Sequence, residues 1–272
     1  MMIRLIAYAH IMVCLVLSVS AFVILDSHTP RRRTAPIGSS ASPTENADAD
    51  VQRMKQDLLD ACRSNDGSRV QSLVDELIAV SSPTEDRWLS GTWDLLYTPD
   101  DTTRSSPFFT AFRQAVAQAD QIYDITDAIP APLKEVGPAT QEIDLEGKRT
   151  MVSRVKVATL GGQATSIMTT RCTIVPQQNR GSSSNCMILQ VDSTKPEDST
   201  LVNKLFGPLA ASVQANSPPF PSGTALEQLQ KGSSQVVWRH LYCDEGVRIS
   251  RYGDEDNFCV WTRKEFATYA EI

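Results

Sequence analysis

The chain has 272 residues, of which 41% are hydrophobic and 21% charged, the usual balance of a globular protein with one large or two small domains. Its formal net charge is −6 at pH 7. A chain this acidic is not attracted by charge to nucleic acid or to anionic lipid headgroups, so nucleic acid is not expected as a partner. Any contact with a membrane must be mainly apolar.

The first 48 residues read as targeting segments. Residues 1–21 combine Arg4, an apolar run and a small-residue end at Val19-Ser20-Ala21, which predicts a signal peptide; a retained membrane anchor is the alternative. Residues 22–48 are rich in Ser, Thr and Arg, which predicts a transit peptide and linker. The Ala21-Phe22 junction is similar to the bipartite leaders of algae with secondary plastids. An ordinary secreted protein with a flexible linker is the other interpretation.

A helical hairpin is expected over residues 49–82. Apolar residues recur at helical spacing in two segments, separated by the helix-breaking run Asn65-Asp66-Gly67-Ser68. The first segment carries Val51, Met54, Leu58 and Cys62, and the second carries Val70, Leu73, Val74, Leu77 and Ile78. These apolar faces must be buried against another part of the fold.

A long series of strands opens at Gly91. Trp93, Leu95 and Tyr97 alternate with polar residues and are expected on one side of the first strand, with Gly91 allowing a sharp turn into it. A core tryptophan in any β domain would explain the same pattern. Pro107 then begins a predicted helix that reaches Ala119.

The later segments alternate in the manner of strands and are joined by turn signals typical of antiparallel hairpins. They cover Gln121–Thr126, Ala139–Leu145, Thr150–Thr159, Ala164–Val175, Asn185–Val191, Gln235–Cys243, Val247–Ser250 and Asn257–Arg263. Eight to nine strands predict a mainly β protein with some helix, built as an antiparallel barrel that can hold one small ligand.

A segment with helical spacing interrupts the strands after residue 199. We expect Leu201, Leu205, Phe206 and Leu209 to form its apolar face, although Pro208 weakens a helix there. One interpretation is a lid that meets a lipid surface; the other is a helix packed permanently on the outer wall of the barrel.

No catalytic or metal-binding pattern is recognised. Nucleophile elbow, phosphate-binding loop and His-Glu metal motif are absent from the sequence, and His240 is the only histidine after the leader. The cysteines are scattered and are interpreted as core residues, with a Cys243–Cys259 bridge left open. Asp244 and Glu245 are interpreted as a solvated turn. We therefore expect neither enzymatic activity, nor a metal, nor a cofactor.

The two ends of the strand series together resemble the plastid lipid-associated proteins, or fibrillins. The opening residues are Gly91-Thr92-Trp93 with Leu96-Tyr97-Thr98, and the closing residues are Leu241–Arg251 with Phe258–Trp261. The chain departs from the family pattern at Cys243, Gly246 and Tyr252. The resemblance implies one domain over 49–265, with a lipocalin-like barrel at 88–265.

The resemblance also implies a function and a site. Hydrophobic plastid metabolites such as carotenoids, quinones, tocopherols or acyl lipids would bind in the barrel, at plastoglobules or thylakoids. The cavity candidates are Trp93, Leu95, Tyr97, Met151, Val155, Val157, Met168 and Cys172. Gly91, Trp93 and Arg248 would form the floor, with Arg248 stacked over Trp93 as lipocalin-like barrels stack a last-strand arginine.

Two alternatives stay open. One is a structural coat protein of lipid droplets without an internal ligand. The other is a barrel-scaffold enzyme that acts on isoprenoid lipids. The sequence does not identify protein partners.

Overall fold

The computed structural model describes residues 45–80, 86–99, 102–116, 139–159, 164–175, 185–253 and 257–264. The predicted signal peptide, most of the transit peptide and linker, and the predicted strand Gln121–Thr126 lie outside the described residues. The end of the predicted linker is helical, because the first helix already begins at Glu45.

Eight antiparallel strands form a closed barrel in which each strand pairs with the next along the chain and the last pairs with the first. The strands are β1 Gly91–Tyr97, β2 Ala139–Asp144, β3 Thr150–Thr159, β4 Ala164–Val175, β5 Cys186–Glu197, β6 Gln235–Cys243, β7 Val247–Tyr252 and β8 Cys259–Arg263. This confirms the prediction of a mainly β protein with helices, built as an antiparallel barrel of about eight strands.

The predicted alternation sets which residues face the interior. On β3 and β4, Met151 lies opposite Cys172 and Val155 lies opposite Met168. β5 continues six residues beyond its predicted end at Val191, after a bulge at Asp192. The bulge shifts the register by one residue, so that Thr194 lies opposite Thr170.

The helical hairpin packs on the outer flank of the barrel. Helices α1 Glu45–Arg63 and α2 Gly67–Val80 bury their apolar faces against the wall formed by β6, β7, β8 and β1. This hairpin core contains Leu58, Ala61, Cys62, Val70, Leu73, Val74 and Leu77 from the helices and Tyr97, Tyr242, Val247, Ile249, Phe258 and Val260 from the barrel side.

Asp244 anchors the hairpin to the barrel. Its carboxylate lies 2.5 Å from Lys55 Nζ of α1 and accepts hydrogen bonds from the Tyr242 hydroxyl (2.6 Å) and from the Gly246 and Val247 N–H groups (both 2.8 Å). The interpretation of a solvated turn was therefore wrong for Asp244, while Glu245 is exposed. The turn brings the carboxylate under α1, a contact that local sequence does not encode.

The connection after β1 closes one end of the barrel. A short 3-10 helix, Thr102–Ser105, leads into α3, Pro107–Ala115, whose residues Phe108 and Ala111 belong to the main barrel core. The predicted helix over this segment is present but ends at Ala115, where Val116 adopts an extended conformation.

The β5–β6 connection covers the same end. It contains α4 Thr200–Phe206, the 3-10 helix Gly207–Leu209, α5 Ala210–Asn216 and α6 Ser222–Leu229. Helix α6 was not predicted. It lies so close to β5 that a Cβ at Gly223 would overlap the Val191 carbonyl oxygen, and its Leu226 packs in the barrel core.

Beneath this connection, β5 and β6 do not pair beyond Gln190 and Gln235, and this unpaired stretch is called the seam. Only Cys186–Gln190 of β5 pair with β6. Farther along β5, Thr194 instead exchanges two backbone hydrogen bonds with Phe220, at 2.9 and 2.8 Å. The connecting segment therefore takes the place of β6 along the outer half of β5. None of the helices within the described ranges has the length and apolar character needed to cross a membrane.

Candidate functional site

The floor of the barrel is built around Trp93. Its ring is fully buried and its Nε1–H donates to the Leu89 carbonyl at 2.9 Å. Arg263, directly opposite on β8, lies with its guanidinium carbon 4.4 Å from the ring centroid. The Arg263 nitrogens also donate to three carbonyl oxygens, those of Ser90 (2.8 Å), Trp88 (2.5 Å) and Glu245 (2.5 Å).

Gly91 is required by this floor. Its φ is +136°, which other residues rarely adopt, and a Cβ there would overlap Arg263 Nη1. The floor is therefore Gly91, Trp93 and Arg263, and the assignment of Arg248 as the last-strand arginine is corrected. Arg248 belongs to β7, the strand before the last. Arg263 was not considered from the sequence, and only the strand register shows that it lies opposite Trp93.

Arg248 nevertheless touches Trp93, as predicted, from farther inside the barrel. Three indole rings surround its guanidinium carbon, with centroids at 5.2 Å for Trp93, 5.4 Å for Trp238 and 4.6 Å for Trp261. The side chain is 0% exposed. Nη2 donates to Gln141 Oε1 at 2.6 Å, whereas Nε and Nη1 have no hydrogen-bond partner. Among the described residues, no carboxylate pairs with it.

This guanidinium is charged at neutral pH and incompletely compensated. Burial lowers the pKa of Arg248 to about 10, which still leaves it protonated near pH 7. Burying an ion costs several kcal/mol, and each cation–π contact returns roughly 0.5–2 kcal/mol. The rings can offset much of the charge penalty, but they do not replace conventional acceptors for Nε and Nη1. Each donor left without an acceptor costs about 1–3 kcal/mol.

Gln141 fixes the arginine from the side of β2. Its Nε2 donates to the Ser105 carbonyl at 2.8 Å and to the Tyr252 hydroxyl at 2.7 Å, and that hydroxyl donates to the Ser105 carbonyl at 3.1 Å. Burial raises the pKa of Tyr252, which keeps the phenol protonated. The guanidinium is thus held by a network that joins β2, β7 and the 3-10 helix before α3.

His240 lies beside this charge and is also without partners. Burial, and then the charge of Arg248, lower the pKa of His240 to about 3, so the ring is neutral at physiological pH. Neither Nδ1 nor Nε2 has a hydrogen-bond partner, and the same is true of Trp238 Nε1. The rings of Trp238 and His240 contact edge to face, with centroids 4.0 Å apart.

A row of three hydroxyls continues across the neighbouring strands. Ser153, Thr170 and Thr194 lie opposite one another on β3, β4 and β5, all buried and all without a hydrogen-bond partner. By contrast, Thr169 and Thr173, on the outer face of β4, donate to Glu197 and Asp192. On these strands the two outer hydroxyls have acceptors, whereas the three inner ones have no hydrogen-bond partner.

The cavity candidates separate into three groups. Trp93, Met151 and Cys172 belong to the packed main core, and Leu95 lies against it, so these four line a filled interior. Val155 and Met168 are buried but outside that core, and Val157 is half-buried farther along β3. These three flank the hydroxyl row on the side of the end closed by α3 and α6.

Tyr97 faces away from the interior, which corrects its assignment. It packs in the hairpin core, with its ring centroid 6.2 Å from that of Phe258. The pairing of β1 with β8 shifts register between Leu95 and Tyr97, and this irregularity ends the alternation that the sequence pattern assumed.

The predicted apolar face of the β5–β6 connection is largely uncovered. Leu205 is 69% exposed and Leu209 is 67% exposed, while Leu201 and Phe206 are half-buried. Helix α4 buries none of its residues, and the helix breaks at Gly207 (φ +51°), before Pro208. The two leucines are therefore not part of a packed interface with the wall.

None of the five described cysteines forms a disulfide, so the Cys243–Cys259 bridge is not formed. Burial raises the pKa of Cys62 and of Cys243 to about 12. Among the described residues, no three His, Cys, Asp or Glu side chains come together as a metal site would require.

Comparisons of the chain with protein-family models, with curated proteins and with solved structures gave no match. The interior of the barrel combines a packed floor, a cluster of unpaired polar nitrogens at Arg248 and His240, and a row of unpaired hydroxyls.

Proposed function

We propose that this protein binds a hydrophobic small molecule or lipid inside the barrel, without catalysing its conversion. The row Ser153, Thr170 and Thr194, bordered by Val155 and Met168, is the observation that carries the proposal. Buried hydroxyls without partners are costly, and a guest with an apolar body and a polar end would satisfy them while covering the apolar wall.

The size of the barrel suits one guest. Eight-stranded barrels have room for side chains or for one small ligand. Affinity would come mainly from the apolar surface removed from water, about 25 cal/mol per Å², and the hydroxyls would orient the guest.

The exposed leucines supply a route to a lipid surface. Leu205 and Leu209 project from the segment that takes the place of β6 along the outer half of β5. Contact of this segment with a membrane or droplet would bring the seam next to the source of ligand. The resemblance to fibrillins supports a plastid location, at plastoglobules or thylakoids, and ligands such as carotenoids, quinones, tocopherols or acyl lipids.

A second candidate function is that of a coat protein on lipid droplets with no internal ligand. The same exposed leucines favour it, because a surface protein needs an apolar face and nothing more.

Extraction of the purified chain followed by mass spectrometry tests both functions. We expect one lipid class in a fixed ratio to protein, and loss of that lipid from Ser153→Val with Thr170→Val. Thr173→Val, on the outer face of β4, is the matched control and should keep it. Bulk glycerolipids in no fixed ratio would instead support the coat protein.

A further inference from the structure

We propose that the ligand carries a single carboxylate, which the unpaired donors of Arg248 and His240 receive at the inner end of the hydroxyl row. This inference rests on the proposed function and narrows it to a monoanionic, single-chain amphiphile such as a free fatty acid.

Three tryptophan rings and Gln141 contact Arg248, but they leave its Nε and Nη1 without a hydrogen-bond partner. Arg263 already holds the floor over Trp93 and caps the Ser90 and Trp88 carbonyls. A fully buried guanidinium with two unpaired nitrogens and, among the described residues, no paired carboxylate is the arrangement that an anionic guest completes.

Further polar nitrogens without partners lie close to the Arg248 guanidinium. His240 lies opposite Ser250, two residues after Arg248 on β7, and is neutral with both ring nitrogens unpaired. Trp238 Nε1, from the same face of β6, is unpaired as well. A carboxylate has about four acceptor positions, enough to pair with donors from both strands.

The Arg248 side chain is held in place without a ligand. Gln141 takes up Nη2 and is itself fixed by Ser105 and Tyr252. A donor that needs no rearrangement loses little entropy on binding, which is how binding sites gain affinity.

Polar side chains also continue from Gln141 across three neighbouring strands. Gln141 lies opposite Ser153, which lies opposite Thr170, which lies opposite Thr194. Val155 and Met168 lie next along β3 and β4. A chain with its head at Arg248 would therefore run past the hydroxyls along this apolar border.

The charge of the site selects a carboxylate over a phosphate. The cluster contributes one positive charge, because His240 is neutral. A phosphate dianion would bring a second negative charge into the interior without compensation. Neutral carotenoids, quinones and tocopherols would leave the guanidinium without an anion.

Titration of the delipidated full-length chain with three probes tests the proposal. Oleate, methyl oleate and oleyl phosphate share one chain and differ only in the head group. We expect oleate to bind at least tenfold more tightly than either of the others, measured by quenching of tryptophan fluorescence and by calorimetry.

Arg248→Met then locates the anion. Oleate should lose at least tenfold in affinity, methyl oleate should bind as before, and the preference for the acid should disappear. Arg171→Met, which removes an exposed arginine from the outer face of β4, is the matched control and should keep the preference. His240→Phe should weaken oleate less than Arg248→Met does, again without affecting the ester. The wild-type comparison of acid with ester decides the question even if a variant fails to fold.

The outcomes separate this inference from the proposed function. If the wild-type chain binds oleate and methyl oleate equally, the proposed carboxylate head group is wrong, whereas the proposed binding of an apolar ligand still stands. Tighter binding of oleyl phosphate, or an acid preference that survives Arg248→Met, would overturn the assigned head group or its position. If none of the probes binds, both proposals fail.

Discussion

Two arginines approach Trp93, and they have different tasks. Arg263, on the last strand, lies over the Trp93 ring and donates hydrogen bonds to three backbone carbonyls around it. Arg248 lies inside, against three rings and one amide. The outer arginine is satisfied and structural, whereas the inner one has two nitrogens without a hydrogen-bond partner.

The glycine beneath Arg263 gives a direct test of the floor. Gly91→Ala should destabilise the protein by about 3 kcal/mol or more, because a strained φ costs about 1–3 kcal/mol and displacing Arg263 leaves carbonyls unpaired. Gly253→Ala, also at positive φ but with nothing within 4 Å of an added Cβ, should lose only about 1–2 kcal/mol. Urea unfolding measures both, and equal losses would contradict the role given to Arg263.

At this scale the predicted contact between Arg248 and Trp93 is present, whereas the second arginine at the ring, Arg263, was missed and Tyr97 was placed on the wrong face. Gly91 and Trp93 could be recognised because a glycine before a strand tryptophan has a local reason. Choosing between Arg248 and Arg263 requires the strand register, and placing Tyr97 requires the irregularity between β1 and β8. The unpaired row on β3, β4 and β5 was also missed, since serine and threonine in a strand give no signal of their surroundings.

At the scale of elements, the hairpin is tied to the barrel by Asp244. Burial acts to raise the pKa of Asp244, but hydrogen bonds from Lys55, Tyr242, Val247 and Gly246 outweigh it and the net pKa is lowered. A carboxyl with a depressed native pKa adds stability above its unfolded pKa, about 4, and loses it as pH falls through the native value.

Asp244→Asn should therefore cost about 2–3 kcal/mol at pH 7, as expected for hydrogen bonds to a charged group. The difference from wild type should shrink as the pH is lowered from 4 toward 2, because the wild-type carboxyl is then protonated too. Urea unfolding across this pH range measures it, with Glu245→Gln as the exposed neighbour that should show no such trend. A difference that stays constant would mean that the charge of Asp244 does not hold the hairpin.

The exposed leucines make a second prediction at this scale. Leu205→Asp with Leu209→Asp should abolish binding to liposomes, because their apolar contact is lost, while the melting temperature changes by no more than about 2 °C, as for other exposed positions. Asn203→Asp with Ala211→Asp adds the same charge at exposed positions of the same segment and should keep binding. Liposome flotation and thermal unfolding are the measurements. Unfolding of the leucine variant would show that these side chains pack within the protein.

The elements themselves could be predicted wherever periodicity was clean. The bounds of β3, β4 and β6 match the predicted ones. Turn residues such as Gly147, Gly161 and Gly162 mark where β3 begins and where it gives way to β4. β5 was cut short because its outer half is a polar run that pairs with β4 only after a bulge. Helix α6 was missed because it is short and follows the proline-rich turn at 218–221 directly. Its Gly223 allows the helix to lie against β5.

At the scale of the whole molecule, the hairpin and the barrel share one apolar core along the flank. Residues from both helices and from four strands belong to it. The two parts are therefore expected to unfold together, even though the sequence pattern separates them into a helical segment and a strand series.

This coupling can be measured because the four tryptophans, at 88, 93, 238 and 261, all lie outside the hairpin. Urea transitions followed by helical circular dichroism and by tryptophan fluorescence should coincide. Ile249→Ala, a core truncation on β7, should lower both midpoints equally, with a cost of about 2–5 kcal/mol. An earlier transition in circular dichroism would show that the hairpin unfolds by itself.

The pairing of β1 with β8 also determines how early the barrel can close. Arg263 donates a hydrogen bond to the carbonyl of Ser90, 173 positions earlier in the chain, and the floor is incomplete until both residues are present. A ribosome delivers β1 early and β8 last, so closure must follow the synthesis of nearly the whole domain. Pairings this distant in sequence also slow folding. A chain that has to be threaded through a translocation pore after synthesis would benefit from such a delay, because it stays open for as long as its last strand is held back.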